Sequence, residues 1–411
     1  MAHPRRRFLY LCLGGSTTLM FACSDDGGLE AGSEGSETGA GETGETSETG
    51  DTEGEACDDP FATGTLLGAS ATFVGENQIS VGSFEGAGHD GRLALDLGTL
   101  DPDTLLTANE DFFIRTALPD LLDLDQPWSI ALEGLLAEPT TIDLDTLAAL
   151  PQVSRVVLLE CSGNGSNRAF GLISAAEWSG PLLSDVLAQV ELDASATAVL
   201  VEGFDEHTHV SSHSTPGCSW VFRLEDIAAA GAMLATHMNG EPLPPDHGYP
   251  VRLIIPGWYG CCHAKWVNRI RLVDDSEPAT AQMGEFASRT HQTQAHELAV
   301  DYSPAIMQQA AMPVRVEKWM VEGELVYRIV GIMWGGTELT DALAIEIDGE
   351  LEAVELCPPQ STNDTWTLWS HTWRPQAPGT YAIRMRIDDP AIPTVRLDSG
   401  FYTRSITIDE A

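Results

Sequence analysis

Basic residues are scarce. The 411-residue chain sets 21 Lys and Arg against 62 Asp and Glu, a formal charge of −41. No basic patch offsets that balance, so nucleic acid is excluded as a partner. The eight cysteines include no Cys-x-x-Cys and no Cys-x-x-Cys-His spacing, which excludes a zinc ribbon and an attached c-type haem. Outside residues 1–23, no apolar run approaches the roughly 18 residues that a membrane-spanning helix needs. Residues 24–59 have almost nothing apolar: they carry thirteen acidic and no basic residues in a Gly/Ser/Thr background. Such a segment buries too little surface to fold and its charges repel, so it reads as an extended tether.

At the N-terminus, Arg5-Arg6-Arg7 precedes an apolar stretch from Phe8 to Ala22 that ends at Cys23. The stretch is too short for an ordinary transmembrane helix and reads as a targeting segment. Arg5-Arg6-x-Phe8-Leu9 resembles a twin-arginine export signal, and Met20-Phe21-Ala22-Cys23 resembles a bacterial lipoprotein cleavage box. Together they imply export in the folded state and a lipid on Cys23, on the periplasmic side of a bacterial cell envelope. An ordinary secretory signal is the competing reading. Five cysteines remain, Cys57, Cys218, Cys261, Cys262 and Cys357, besides Cys161; one or two disulfides are open to them, and sequence cannot pair them.

The stretch that organises the rest is Val156-Val157-Leu158-Leu159-Glu160-Cys161-Ser162-Gly163-Asn164-Gly165. Its apolar, β-branched half predicts a buried strand that delivers Cys161 to a glycine-rich loop. A thiolate there suits a metal or a nucleophile, and a buried structural cysteine is the alternative. Before it, Asn109-Glu-Asp-Phe-Phe-Ile-Arg115 places a lone arginine in apolar surroundings, where its charge needs a partner. Residues 128–136 alternate as a strand, and Asp143 is placed to cap a short helix. After it, Trp178-Ser-Gly-Pro is expected to open a helix, Ala198–Val201 to form a strand, and 224–238 to be helical. His207, His209 and His213 admit either a metal or an idle loop. A proline-punctuated loop then feeds the strand Val251–Ile255, and His247, Arg252, His263 and Lys265 fall near strand ends, where donors suit phosphate. Residues 275–310 read as a connector. From Met312, short strands recur with turns, which predicts an antiparallel β-sandwich.

These pieces are similar, in order and spacing, to the sulfite oxidase family of molybdenum enzymes. The residues that carry the resemblance are Asn109 to Arg115, Glu160-Cys-Ser-Gly-Asn164, Trp178-Ser-Gly-Pro, Met238-Asn-Gly-Glu-Pro-Leu-Pro-Pro-Asp-His-Gly-Tyr-Pro-Val-Arg252, Pro256-Gly-Trp-Tyr-Gly and His263-Ala-Lys-Trp266. The resemblance implies an α+β molybdopterin-binding domain followed by an immunoglobulin-like β-sandwich through which the chain forms a homodimer. It implies molybdenum held by Cys161 and a molybdopterin held by Asp205, His247, Arg252, His263, Ala264 and Lys265. Asn109, Phe113 and Thr116 would line the cofactor edge, with Arg115 and the late Arg168 facing a small sulfur-containing or anionic substrate. There are departures. Gly165-Ser166-Asn167 stands where the family places an arginine. Thr116-Ala117 replaces Asn-His. The region of the metal-facing tyrosine reads His213-Ser-Thr-Pro-Gly-Cys218, and Cys262 replaces an arginine. The cofactor frame is therefore better kept than the substrate pocket.

The expected organisation is a signal peptide over 1–22, an acidic tether over 23–60, the oxidoreductase domain over 61–295 and the sandwich over 296–411. The expected activity is two-electron oxidation of sulfite or a related sulfur compound, with electrons passed to an external carrier such as a cytochrome. Reduction of an S-oxide, or a cofactor-free binding lipoprotein, are the alternatives.

Overall fold

The structure is a computed structural model that describes residues 59–411 apart from 70–72, 88–89, 101–104, 117–122, 124 and 205–217. Cys23, Cys57, Asp205, His207, His209 and His213, with the signal and the tether up to residue 58, lie outside the described residues. No helix among the described residues is long and apolar enough to cross a membrane.

The strand Gln152–Glu160 pairs antiparallel with Ile173–Pro181, which continues to His237–Met238 and Glu241–Pro242. Its last four residues are buried on both faces, which explains why the segment reads as one apolar run rather than an alternation. Alternate side chains point to opposite sides of a strand. Leu158 therefore enters one core, while Val157 and Leu159 enter another. Each such side chain contributes about 1.5–3 kcal/mol by leaving water.

A second sheet has five strands in the order Ser219–Arg223, Ala198–Gly203, Val267–Val273, Ser129–Gly134 and Thr140–Asp143, with one parallel pairing, between Val267–Val273 and Ser129–Gly134. Asp143 caps the helix Leu144–Ala149 through the Thr146 N–H at 2.8 Å, as its position predicts. A three-stranded sheet of Glu85–Ala87, Asp90–Leu93 and Ile114–Thr116 carries Arg115.

The helix expected over 224–238 stops early. It spans Leu224–Ala230, and Gly231 ends it in the left-handed conformation at φ +67°. Met233–Ala235 then pairs as a strand with Arg252–Ile254. Those three residues are wholly buried, and sheet packing overrides their helical composition. Trp178-Ser-Gly-Pro likewise ends a strand instead of opening a helix; the short helix Leu183–Leu187 follows it. Gly180 is required there, because a Cβ would lie 2.0 Å from the Leu234 carbonyl oxygen.

At the C-terminal end, two four-stranded antiparallel sheets face one another. One orders Thr65–Ala69, Ala310–Val321, Glu324–Trp334 and Thr367–Trp373; the other orders Glu350–Ala353, Leu343–Ile347, Gly379–Ile387 and Arg404–Ile408. Val316, Ile329 and Ile332 meet Ile345, Ile383 and Ile406 in one core, and Leu158, Phe170 and Ile173 extend it into the Cys161 sheet. Thr65–Ala69 is an edge strand of this unit, although it is distant in sequence and falls within the span assigned above to the oxidoreductase domain. Ala299, Tyr302 and Ala305, from the far side of the expected boundary, pack into the core of the five-stranded sheet.

Candidate active site

Strand parity sets the site. Glu160 follows Leu158 toward the C-terminal sheets, and Cys161 follows Leu159 into a pocket that is partly open to solvent. The loop after Cys161 is fixed by Asn164. Its N–H donates to the Cys161 carbonyl at 2.8 Å, and its Oδ1 accepts from Leu172 N at 3.0 Å. Burial raises the Cys161 thiol pKa, and the charge of Arg115 opposes the rise.

Phe113, Arg115, Thr116, Cys161, His247, Arg252, His263 and Lys265, eight of the residues picked from sequence, line this one pocket. The proline-rich loop supplies its frame. Lys265, one of two lysines in the chain, donates to Thr116 Oγ1 and, at 2.6 Å, to the Asp246 carbonyl. Arg252 donates to the His247 carbonyl at 3.0 Å and lies over the Trp178 ring, 5.0 Å from its centroid. Its Nε is buried and makes no hydrogen bond to the described residues. Burial lowers the Arg252 pKa to about 10, so it stays charged at neutral pH. His247 is held neutral by burial, with Lys265 and Arg252 adding to the effect.

His263 differs from its expected part. Its Nε2 sits 3.2 Å from the Trp258 carbonyl, and its Nδ1 takes a long 3.5 Å contact from Ile255 N–H. Both ring nitrogens serve the backbone. Burial, then Arg252, lowers its pKa to about 3. The unfolded chain takes up a proton here below the ordinary value of 6.5, and the folded chain does not until about 3. Stability should therefore fall as pH drops from 6.5 toward 3, by about 1.4 kcal/mol per pH unit for this group. Urea unfolding at stepped pH measures it. A His263→Gln variant with the same pH slope as the parent would rule the assignment out.

Three predicted residues lie elsewhere. Arg168 pairs with Glu85 at 2.7 Å at the surface and does not line the pocket; the Gly165-Ser166-Asn167 segment carries it away. Ala264 is buried and accepts from Leu253 N at 2.8 Å. Asn109 bonds Asn239 and the Met238 carbonyl, joining the Phe112-Phe113 segment to the loop that begins at Met238.

Sequence reasoning missed two arginines. Arg289 Nη1 lies 3.5 Å from where a Gly163 Cβ would stand, and the same point is 3.9 Å from Cys161 Sγ. Arg396, from the C-terminal unit, donates to the Ser162 and Arg289 carbonyls, both at 2.8 Å, and lies 3.8 Å from Glu160. Glu160 is 1% exposed and accepts from Trp334 Nε1 at 3.0 Å and Tyr402 OH at 3.1 Å. Burial raises its pKa, and Arg396 is the main opposing charge. No spacing in the sequence links residues so far apart.

A thiol at a pocket wall, beside a neutral imidazole and fixed guanidinium and ammonium groups, can ligate a soft metal and hold an anionic cofactor. The orphaned Arg252 Nε, a buried donor, fits such an anion. Residues 116–281 match the model of the oxidoreductase molybdopterin binding domain family. The mouse mitochondrial sulfite oxidase is 30% identical over 293 residues, 64% of this chain and 52% of that protein. The NADPH nitrate reductase of Aspergillus niger is 31% identical over 43% of this chain and 22% of that protein. The sulfane dehydrogenase SoxCD structure from Paracoccus pantotrophus superposes with a TM-score of 0.59 at 18% identity, covering 90% of this chain and 96% of that one. The chain spans about half the length of the mouse protein it matches. The matched segment is a molybdopterin-binding oxidoreductase domain. The chain is similar to sulfite oxidases over 64% of its length.

Proposed function

We infer that this protein oxidises a sulfur compound and passes the electrons to an external carrier such as a cytochrome. The observation that carries the reading is the convergence of Cys161, Arg115 and the His247–Arg252–Lys265 frame on one pocket. Molybdenum bound through a molybdopterin would supply two-electron oxygen-atom transfer, with Cys161 as its protein thiolate. Arg252, Lys265 and the neutral His247 would hold the pterin and its phosphate. Arg115 would fix an anionic substrate beside Cys161. The C-terminal sheets would serve as an immunoglobulin-like homodimerisation domain.

Sulfite is expected to be a poor substrate. A small dianion needs fixed cationic donors around it, and each charge-assisted contact is worth about 1.5–3 kcal/mol. Arg168 is tied to Glu85, Cys262 stands where the family pattern has an arginine, and the family's tyrosine has no clear counterpart in the region His213 to Trp220, so a larger or less charged sulfur compound fits better. Metal and pterin analysis, followed by a substrate screen with a dye acceptor and a dye donor, tests both points. A micromolar Michaelis constant for sulfite with fast turnover would overturn the substrate preference. Absence of molybdenum and pterin, or S-oxide reduction as the sole activity, would overturn the function.

The N-terminal motifs support export by the twin-arginine route and a lipid anchor at Cys23 on the periplasmic side. Replacing Arg5 and Arg6 together by lysine is expected to trap the precursor in the cytoplasm. Cell fractionation reads the result, and normal export of that variant would point to the ordinary secretory route.

A further inference from the structure

The pocket wall carries thiols that the reading above leaves without a task. Cys218 and Cys261 both line the pocket that holds Cys161, and both are partly exposed. Cys262 is buried behind them, with its Sγ 3.9 Å from that of Cys261. Cys261 and Cys262 are free thiols, whereas Cys357 is disulfide-bonded. Gln282 clamps the two segments side by side. Its Nε2 donates to the Cys261 carbonyl at 2.8 Å, and its Oε1 accepts from Ser219 N at 2.7 Å. Gly260 abuts the Cys161 backbone: a Cβ there would lie 3.6 Å from Cys161 Cα. Cys261 thus leaves the wall one residue beyond the contact with Cys161. The same pocket presents Arg115, whose charge favours an anionic ligand.

We propose that Cys261 accepts the outer sulfur of a persulfide or polysulfide anion drawn into the pocket, with Cys262 as its resolving thiol. This rests on the sulfur-oxidising reading and narrows its substrate class to sulfane sulfur. The Cys261 thiolate attacks the outer sulfur of the donor. A bond forms from Cys261 Sγ to that sulfur as the donor's S–S bond breaks, and the leaving thiolate takes the proton that Cys261 gave up. A thiol and a persulfide become a Cys261 persulfide and a free thiol, with no net oxidation. Cys262 can then attack Cys261 Sγ. That step closes a disulfide between the two cysteines and expels the sulfane sulfur as hydrogen sulfide, reduced by the two electrons that the two thiols lose.

The test uses the full, cofactor-loaded chain and equimolar glutathione persulfide, followed by alkylation of free thiols, digestion and mass spectrometry. The expected result is a gain of one sulfur atom on Cys261 that decays with release of sulfide. The gain should be lost in Cys261→Ser, kept in Cys218→Ser, and kept without decay in Cys262→Ser. Sulfur gained on Cys218 with Cys261 unmodified, or on Cys261 only after denaturation, overturns the proposal. The readout needs no turnover. Sulfur taken up at Cys261 by a protein that oxidises no sulfur compound defeats the functional reading alone, and oxidation with Cys261 unmodified defeats this proposal alone.

Discussion

Replacing Cys161 by serine is expected to cut turnover by at least about 100-fold while the protein stays folded and retains pterin. Changes in groups that merely orient a metal's ligands already cost 10–100-fold, and Cys161 is placed as the ligand itself. Its backbone is held by bonds the substitution does not touch: its N–H donates to the Leu172 carbonyl at 2.9 Å, and its carbonyl accepts from Asn164. The serine hydroxyl is smaller than the thiol and clashes with nothing on the wall, but it is not a soft donor. Dye-coupled kinetics read the activity, and pterin fluorescence after denaturation reads occupancy. Full activity with molybdenum bound would falsify the role given to Cys161.

Glu160→Ala is expected to destabilise the fold by about 3–5 kcal/mol, the usual cost of removing one partner of a buried ion pair. The carboxylate is 1% exposed, and its partners come largely from the C-terminal unit: Trp334, Tyr402 and Arg396. Truncation leaves three buried donors, on Trp334, Tyr402 and Asn164, without this acceptor and Arg396 without its nearby carboxylate. Glu160→Gln keeps an acceptor oxygen and should cost less. Urea midpoints measure both. An alanine variant within about 1 kcal/mol of the parent, well under the cost of several orphaned buried donors, would remove Glu160 from the set of groups that join the two halves.

Much of the site was legible because it is local in sequence. The apolar run ending at Cys161, the cap at Asp143 and the loop from Met238 to Arg252 each carry their instructions in neighbouring residues. The pocket chemistry of Arg252 and Lys265 follows from residue type and position near strand ends, and Arg115 stood out as a lone charge in apolar surroundings. What escaped depends on contacts that composition does not encode. Met233–Ala235 has helical composition but is wholly buried between other segments, so a strand wins. Arg168 looked one short step from the loop it was meant to serve, yet three intervening residues deliver it to Glu85. Arg396 and Arg289 come from stretches that read as sandwich and connector, and only the folded chain brings them beside Cys161. The edge strand Thr65–Ala69 shows the same limit, since its partner lies about 250 positions away in the chain.

The parity of the strand Gln152–Glu160 has a consequence for how this chain can change. Substitutions along it alter packing on one side at a time. Losing or gaining a single residue within it would do something else: every side chain beyond the change would exchange faces. The carboxylate that the C-terminal unit grips would turn into the pocket, and the thiol would turn toward Trp334 and Tyr402. Length in this strand is therefore under tighter constraint than identity, and drift in this chain can proceed by replacement there but not by insertion or deletion.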